Sequence, residues 1–273
     1  MKVEKTKRTF KQWFKDEVNE TKVLFKGLPA VPFAVICLSF IVMNLLATVA
    51  LYNVEWAAGD IGIIVSWLSF LFGDMFVKRY GAKGAIKIQV AALFIALTTL
   101  AIMALGAFLE KALWGANYTL GVFSWETNAD NGMVTLWTIG ASAAAFLISA
   151  VVDAIISNAI LTKFKKRTSF KAHAVAAWGS TFVGQFVDNL VFAFLFTFIA
   201  SRVPGLQMSW GLQPVTVLAV FTCAIIGGLT ELVLQVIFSP IGFKVAEKWR
   251  KEGVGAEYIA LVPQAQEVNT DLE

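Results

Sequence analysis

Four acidic residues lie in or at the ends of otherwise strongly apolar stretches, and their side chains are the ones best suited to chemistry. They are Asp74, Asp153, Asp188 and Glu231. An acid at the centre of a membrane helix costs about 2.5–3.5 kcal/mol on insertion scales, so it persists where it faces a cavity, pairs or binds a ligand. No Lys or Arg lies deep in these stretches to pair with them. We therefore expect the central acids to be protonated, hydrated in a cavity or matched by donors on a bound molecule.

Position along the apolar stretches ranks these acids. Asp188 lies near the middle of the fifth stretch and Glu231 past the middle of the sixth, so both are hard to explain as structural residues. Asp74 lies near the end of the second stretch, where a salt bridge with Lys78 at i+4 would explain it without a functional role. Asp153 lies similarly near the end of the fourth. The sequence favours a site at Asp188 and Glu231, with Asp74 and Asp153 as second choices that could gate its mouth.

Polar side chains accompany the acids at the spacing of one helix face. Residues four apart lie on the same face of a helix, and a polar face on an apolar helix must turn towards other helices. Ser and Gly alone are more simply read as helix-packing contacts. The pattern predicts acceptors at the acids and amide partners at Asn44, Gln185 and Asn189. Sets with this spacing are Asn44 and Thr48; Ser149, Asp153 and Ser157; Ser180, Gly184 and Asp188; Gly227, Glu231 and Gln235.

Composition indicates a single all-α domain in a membrane. The chain has 273 residues, 58% of them apolar and only 15% charged, against about 25% charged in a typical soluble domain. A membrane helix needs about 20 largely apolar residues. The sequence predicts six such helices: Pro29–Leu51, Ile61–Val77, Ile86–Leu109, Met133–Leu161, Ala172–Ala200 and Pro214–Phe243.

The distribution of Lys and Arg predicts the orientation of these helices. The N-terminal segment, the second and fourth connections and the C-terminal tail together hold 21 of the 23 basic residues, and the other side holds only Lys111 and Arg202. Basic residues concentrate on the cytoplasmic side of membrane proteins. We therefore predict that both ends of the chain lie in the cytoplasm and that the six helices form a multi-pass protein of the cell membrane.

Both tails are expected to be cytoplasmic and too small for another domain. Residues 1–28 are basic and read either as an amphipathic helix on the membrane surface or as a solvated tail. Residues 244–273 form the other tail, and the polar residues after about Gly253 predict disorder. Neither tail contains a nucleotide-binding motif. The sequence implies no cofactor and no nucleic-acid partner. The two cysteines have no metal-ligand spacing.

The fourth connection and fifth helix resemble a known transporter family. The run from Asp153 to Phe192 is similar to a pattern of the queuosine precursor transporters, also called the putative vitamin uptake transporter (VUT) family. In that pattern an aspartate helix end and a basic loop precede a helix that carries Gly-Ser-Thr, Gln, Asp and Phe. The matching residues here are Gly179, Ser180, Thr181, Gln185, Asp188, Asn189 and Phe192. Asp74 followed by Tyr80-Gly81 is similar to a second family motif.

Two positions depart from the pattern. Lys78 stands where the resembled motif has an acid, and Ala176-Ala177-Trp178 stands where an arginine is expected before Gly179. Both changes alter charge close to the expected cavity. The resemblance implies a six-helix transporter that imports 7-deazaguanine precursors of queuosine. The two departures affect the expectation for the exact substrate more than the expectation for the fold.

Other functions stay open at this point. One alternative is a substrate-binding subunit like the S-components of energy-coupling-factor vitamin transporters, which depend on a separate ATPase. An intramembrane enzyme is disfavoured because we identify no metal-binding histidine set, no Gly-x-Ser-x-Gly motif and no aspartate pair of the protease type in the sequence. A proton is a candidate coupling ion because a lone acid in an apolar cavity binds protons readily. The sequence leaves the oligomeric state open.

Overall fold

Helices make up nearly all of the structure. The computed structural model describes residues 9–47, 50–54, 57–114, 131–199, 202–203 and 216–271. A π-helical segment, Phe194–Ile199, extends α5, and an antiparallel hairpin of β1 (Ala50–Val54) and β2 (Ala57–Asp60) separates α2 from α3. The helices are α1 (Phe10–Lys26), α2 (Ala30–Leu46), α3 (Ile63–Trp114), α4 (Asn131–Leu161), α5 (Phe170–Ala193), α6 (Val217–Lys251), α7 (Ala256–Leu261) and α8 (Pro263–Asn269).

Four helical segments are long and apolar enough to cross a membrane. They are Ile63–Gly106, Trp137–Leu161, Phe170–Phe196 and Val217–Lys251. The helices α1 and α2 meet at 104° and pass the same test only as a bent pair, which raises the number among the described residues to five. Large apolar side chains such as Phe94 and Leu218 are more than 70% exposed, as expected where lipid replaces water. The chain is therefore a multi-pass helical membrane protein.

A break at Gly81 divides α3 into two arms, residues 63–80 and 82–114. An unbroken helix of 52 residues would be about 78 Å long, far more than the roughly 30 Å of a bilayer core. Gly81 has φ 69° and ψ 174°, a conformation that essentially only glycine adopts. The break falls between the second and third predicted spans, so each arm corresponds to one of them.

The prediction that the first apolar helix continues to Leu51 is wrong. The helix α2 ends at Leu46, and Leu51 lies in β1. The stretch from Val49 to Trp56 contains β-branched and aromatic residues, which favour strands. The chain leaves the helix here, and its backbone N–H and C=O groups would lack hydrogen-bond partners without the hairpin. Pairing of Ala50 with Asp60 and of Val54 with Ala57 supplies these partners. The predicted position Thr48 lies outside the described residues.

The basic connections meet at one end of the bundle. The ammonium group of Lys78 donates to the carbonyls of Arg167 and Thr168 in the α4–α5 connection, each at 3.4 Å. The hydroxyl of Tyr80 donates to the carbonyl of Gly27, between α1 and α2, at 3.2 Å. Six helical segments therefore begin or end together here: α2, both arms of α3, α4, α5 and α6.

The C-terminal residues are ordered at this same end, so the prediction of disorder after Gly253 is wrong. The helices α7 and α8 bury Tyr258, Val262, Ala265 and Val268, none of them more than 4% exposed. The guanidinium of Arg79 donates at 2.7 Å both to the carbonyl of Val254 and to Oδ1 of Asn269. The apolar residues of this mostly polar C-terminal segment thus pack against the break in α3. The overall composition of the segment does not reveal this contact.

The N-terminal helix α1 docks on α3 through ion pairs. Thr9 caps the helix, and Glu17 pairs with Lys83 at 2.6 Å and with Lys87 at 2.8 Å. The hydrogen bond from Lys83, with that from Lys87, holds the pKa of Glu17 below its ordinary value. Phe10 and Phe14 are exposed on the helix, an amphipathic arrangement suited to a membrane surface.

We predict that Gly81→Ala lowers thermal stability. A Cβ at Gly81 would lie 3.1 Å from the carbonyl carbon and oxygen of Gln264, and the backbone conformation itself should cost about 1–3 kcal/mol for alanine. The matched control is Gly140→Ala in α4, because a Cβ there meets nothing within 4 Å. Thermal unfolding in detergent should show a lower Tm for Gly81→Ala only. Equal melting temperatures would show that the break carries no strain.

Candidate functional site

Polar side chains from α3, α4, α5 and α6 meet inside the bundle and form a column, named here the polar column. Glycines on α5 and α6 allow the helices to approach. A Cβ on Gly184 would lie 3.0 Å from Cβ of Asp153, and a Cβ on Gly227 would lie 2.2 Å from Oδ1 of Asn189. The polar stripes seen in the sequence therefore face one another, as predicted from their helical spacing.

Asp74 is the hub at the basic end of the polar column. Its Oδ1 accepts from the hydroxyls of Ser157 at 3.2 Å and Ser180 at 3.4 Å. Its Oδ2 accepts from the hydroxyl of Thr181 at 3.3 Å and from Nε2 of Gln235 at 2.6 Å. The carboxylate is 1% exposed. Because a carboxylate offers about four acceptor positions, the three neighbouring helices saturate it.

The salt bridge between Asp74 and Lys78, a structural explanation of Asp74, is absent from the structure. Lys78 instead pairs with Glu247 on α6 at 3.6 Å and lies over the ring of Phe243 at 4.9 Å. The departure from the resembled motif at position 78 therefore produces an ion pair between α3 and α6. At the second departure, Nε1 of Trp178 donates to Oγ of Ser239 at 3.0 Å, which also joins α5 to α6.

Asp153 lies beside Asp74 but is bonded very differently. It is fully buried, and neither of its oxygens accepts a hydrogen bond from any described residue. The carboxylates of Asp153 and Asp74 are close enough for their charges to interact. Gly73, Phe70 and Gly184 border Asp153. The sequence placed Asp153 only as a second choice, whereas the structure places it at the centre of the bundle.

Glu231 and Asn189 form a second cluster further from the basic end. The hydroxyl of Ser66 donates to Oε1 of Glu231 through a short hydrogen bond, and Nδ2 of Asn189 donates to Oε2 at 3.1 Å. Glu231 is 2% exposed and faces the interior rather than lipid. The cluster joins α3, α5 and α6, so Glu231 and Asn189 lie together inside the bundle.

Asp188 lies at the same level on the neighbouring face of α5. Its Oδ1 accepts from the hydroxyl of Ser149 on α4 at 2.9 Å. Unlike the other acids, Asp188 is only half-buried. A carboxylate that accepts one hydrogen bond has further acceptor positions for a donor brought by a ligand.

Several buried carboxamide groups keep unpartnered atoms among the described residues. Both polar atoms of Gln185 and the Oε1 atoms of Gln89 and Gln235 have no hydrogen-bond partner, and all three residues are at most 2% exposed. Unmet polar atoms at this depth cost about 1–3 kcal/mol each. Such groups accumulate where a protein binds a polar ligand or water.

Asn44, also predicted to line the site, is not joined to the polar column by any hydrogen bond among the described residues. Its Nδ2 donates to the carbonyl of Phe40 in its own helix at 2.6 Å, and its Oδ1 is unpartnered. The ring centroids of Phe40 and Phe146 are 4.2 Å apart, and this contact packs α2 against α4.

Sequence reasoning missed Ser66 and Gln89. Ser66 lies two helical turns before Asp74, a spacing that could have identified it. Gln89 borders Gly73 across the Gly81 break. Helical spacing could not have predicted that Gln89 lies near Gly73, because the break at Gly81 separates the two residues and interrupts the helical periodicity.

The composition of the polar column limits its chemistry. It contains carboxylates, carboxamides and hydroxyls, and no group of three or more metal-ligating side chains occurs within the described part of the chain. Lys78, the nearest basic residue along α3, is engaged by Glu247. The column can therefore accept hydrogen bonds from a polar solute or hold protons.

Comparison with known proteins identifies the family. The family model described as "Putative vitamin uptake transporter" matches residues 60–246, which contain all the acids of the polar column. The chain belongs to this family. No curated protein and no solved structure matches the chain. Membership makes this protein a membrane transporter and confirms the family resemblance that the Asp153–Phe192 run carries.

We predict that Asp74→Ala destabilises the protein far more than the loss of a surface hydrogen bond. Removing the carboxylate leaves four buried donors, at about 1–3 kcal/mol for each donor that finds no other partner. Thr222→Ala is the control, because its exposed hydroxyl donates only to Leu218 of its own helix. Denaturant unfolding in mixed micelles measures both. Comparable losses in the two variants would contradict the role of Asp74 as a hub.

Proposed function

We propose that this transporter imports a small, flat, polar solute of the nucleobase type, with 7-deazaguanine precursors of queuosine as the substrate class. The observation that carries the proposal is the polar column itself, in which carboxylates and buried carboxamides with unpartnered atoms lie inside an apolar bundle. Polar groups of this kind inside a membrane mark substrate pathways.

The chemistry of the outer cluster suits such a substrate. The edge of a guanine-like base presents N–H donors that a carboxylate can accept in pairs. Asp188 and Glu231 would accept these donors, and the carboxamides of Gln185 and Asn189 would complement the remaining ring atoms. An aminomethyl substituent on the base would add a cation, which a buried carboxylate stabilises.

Six membrane-spanning helices with both ends in the cytoplasm complete the proposal. The meeting of the basic connections at one end supports it, because Lys78, Arg167, Lys83 and the end of α6 then lie on one side. The positive-inside rule assigns that side to the cytoplasm. The protein would then reside in the cell membrane.

Cysteine labelling tests this topology. The native Cys37 and Cys223 are buried, so a membrane-impermeant thiol reagent should report on introduced cysteines. We expect Arg202→Cys to react in intact cells and Lys251→Cys to react only after the membrane is opened. The reverse pattern would show the opposite orientation, and reaction of both variants in intact cells would refute a membrane crossing by α6 between the two positions.

A ligand screen tests the substrate. A compound that binds only the folded state raises the Tm, so we expect 7-cyano- or 7-aminomethyl-7-deazaguanine to stabilise the purified protein and vitamins unrelated to purines to have no effect. Asp188→Asn should abolish this shift and substrate uptake while leaving membrane insertion intact. Asp16→Asn, on the exposed surface of α1, is the matched control.

The same experiment separates the alternatives. Stabilisation by a vitamin rather than a deazapurine would refute the substrate class but keep the transporter. Copurification of an ATPase required for uptake would make the chain a substrate-binding subunit of the energy-coupling-factor type. Normal uptake by Asp188→Asn would show that the substrate site lies elsewhere in the bundle.

A further inference from the structure

Two adjacent carboxylates in the polar column have opposite hydrogen-bond environments. Asp74 accepts four hydrogen bonds from residues of α4, α5 and α6. Asp153 accepts none from the described residues, although it is just as deeply buried. The hydroxyl of Ser180 donates to Asp74 at 3.4 Å and also lies near Asp153, but a single hydroxyl can donate to only one of the two carboxylates at a time. The pair is therefore built asymmetrically.

This asymmetry assigns different charges to the two residues. An ionised carboxylate needs donors, and Asp74 has enough to fill its acceptor positions. An anion at Asp153 would be buried without a donor from the described residues, beside a second negative charge, and burying one unpaired ion costs several kcal/mol. A neutral carboxylic acid at Asp153 removes both the repulsion and most of the desolvation cost.

Among the residues that the structure describes, no basic group pairs with Asp153 to offset an anion there. On α3 the nearest ionisable residue is Asp74, and Lys78 lies one turn further on in its ion pair with Glu247. On α5 and α6 the nearest are acids, Asp188 bonded to Ser149 and Glu231 bonded to Asn189. The helix α2 contains no acidic or basic residue.

We propose that Asp153 is the proton-binding residue of this transporter and that Asp74 is its ionised neighbour. This inference rests on the proposed transport function, because a proton that is bound and released inside the bundle can drive uptake. In the step itself, the O–H bond of Asp153 breaks, the electron pair stays on the carboxylate and the proton passes to water on one side of the membrane.

Gln89 is placed to accommodate both forms of Asp153. A Cβ on Gly73 would lie 2.3 Å from Nε2 of Gln89 and 3.8 Å from Oδ2 of Asp153, so the two side chains border the same space. The Oε1 of Gln89 is unpartnered and buried. A carboxamide can accept from the protonated acid through Oε1 and, after turning, donate to the anion through Nε2.

Infrared spectroscopy of the full-length protein tests the proposal without a substrate. The C=O stretch of a protonated carboxylic acid is distinct from that of a carboxylate, and ¹³C-labelled aspartate shifts it. We expect the wild-type protein at neutral pH to show a protonated aspartate band that Asp153→Asn removes. Glu252→Gln, at an exposed position on the basic end, should leave the band unchanged.

Several results would contradict the role of Asp153 as the proton-binding residue. A protonated aspartate band that persists in Asp153→Asn, or no such band in the labelled wild-type protein, would overturn the proposal. The absence of the band from the labelled wild-type protein would overturn the proposal even where the variant does not fold. Saturable binding of radioactive sodium that Asp153→Asn abolishes would also overturn it, because the site would then hold a metal cation.

A transport assay tests whether the proton bound by Asp153 is coupled to substrate uptake. In proteoliposomes, Asp153→Asn should lose the accumulation of substrate that an imposed pH gradient drives in the wild-type protein. Wild-type uptake that ignores the gradient would overturn the coupling role. If no deazapurine is transported at all, the proposed substrate fails, whereas the infrared result on Asp153 stands independently.

Discussion

Buried polar groups in a bilayer must find their partners within the protein, and this requirement organises the bundle around Asp74. Lipid offers no hydrogen bonds, so a carboxylate on α3 is retained only if other helices bring donors to it. Ser157, Ser180, Thr181 and Gln235 do so from α4, α5 and α6. A shift of any one of these helices along its axis by one turn, about 5.4 Å, would leave the anion short of donors. The hub thereby fixes the register of four helices.

The remainder of the polar column is less fully bonded, and that difference separates structural from functional positions. Asp153, Gln89 and Gln185 keep unpartnered atoms in the same interior that saturates Asp74. Asp188 is only partly buried. The saturated hub and its incompletely bonded neighbours lie inside the same bundle, and polar groups inside a membrane are typical of transport pathways. The affinity for a ligand then comes from satisfying groups that the fold leaves unmet.

The basic end shows how the chain reinforces this arrangement from outside the spans. The helices α7 and α8 pack against the Gly81 break, and Arg79 bonds both Val254 and Asn269. Ion pairs of Glu17 with Lys83 and Lys87 hold α1 on the same surface. Partly exposed pairs of this kind stabilise only weakly one by one. Together with the buried apolar residues of the C-terminal helices, they hold the ends of six helical segments in place.

The sequence alone determined the class of the protein, the approximate position of the apolar helices and the polar face of each. Hydropathy and the periodicity of side chains are local properties, so Glu231, Asn189 and Asp188 could be singled out without coordinates. The family was also readable from the motif around Gly179 and Asp188, which the match over residues 60–246 confirmed. Only the tertiary structure decided that Asp74 is a saturated hub, that Asp153 accepts no hydrogen bond from the described residues and that Gln89 lies near Asp153 across the break. It also separated Asn44 from the column and ordered the C-terminal helices. The physical reason is that hydrogen bonding between helices depends on their relative rotation and depth, which the backbone break at Gly81 and the packing of glycines set and which no single helix encodes.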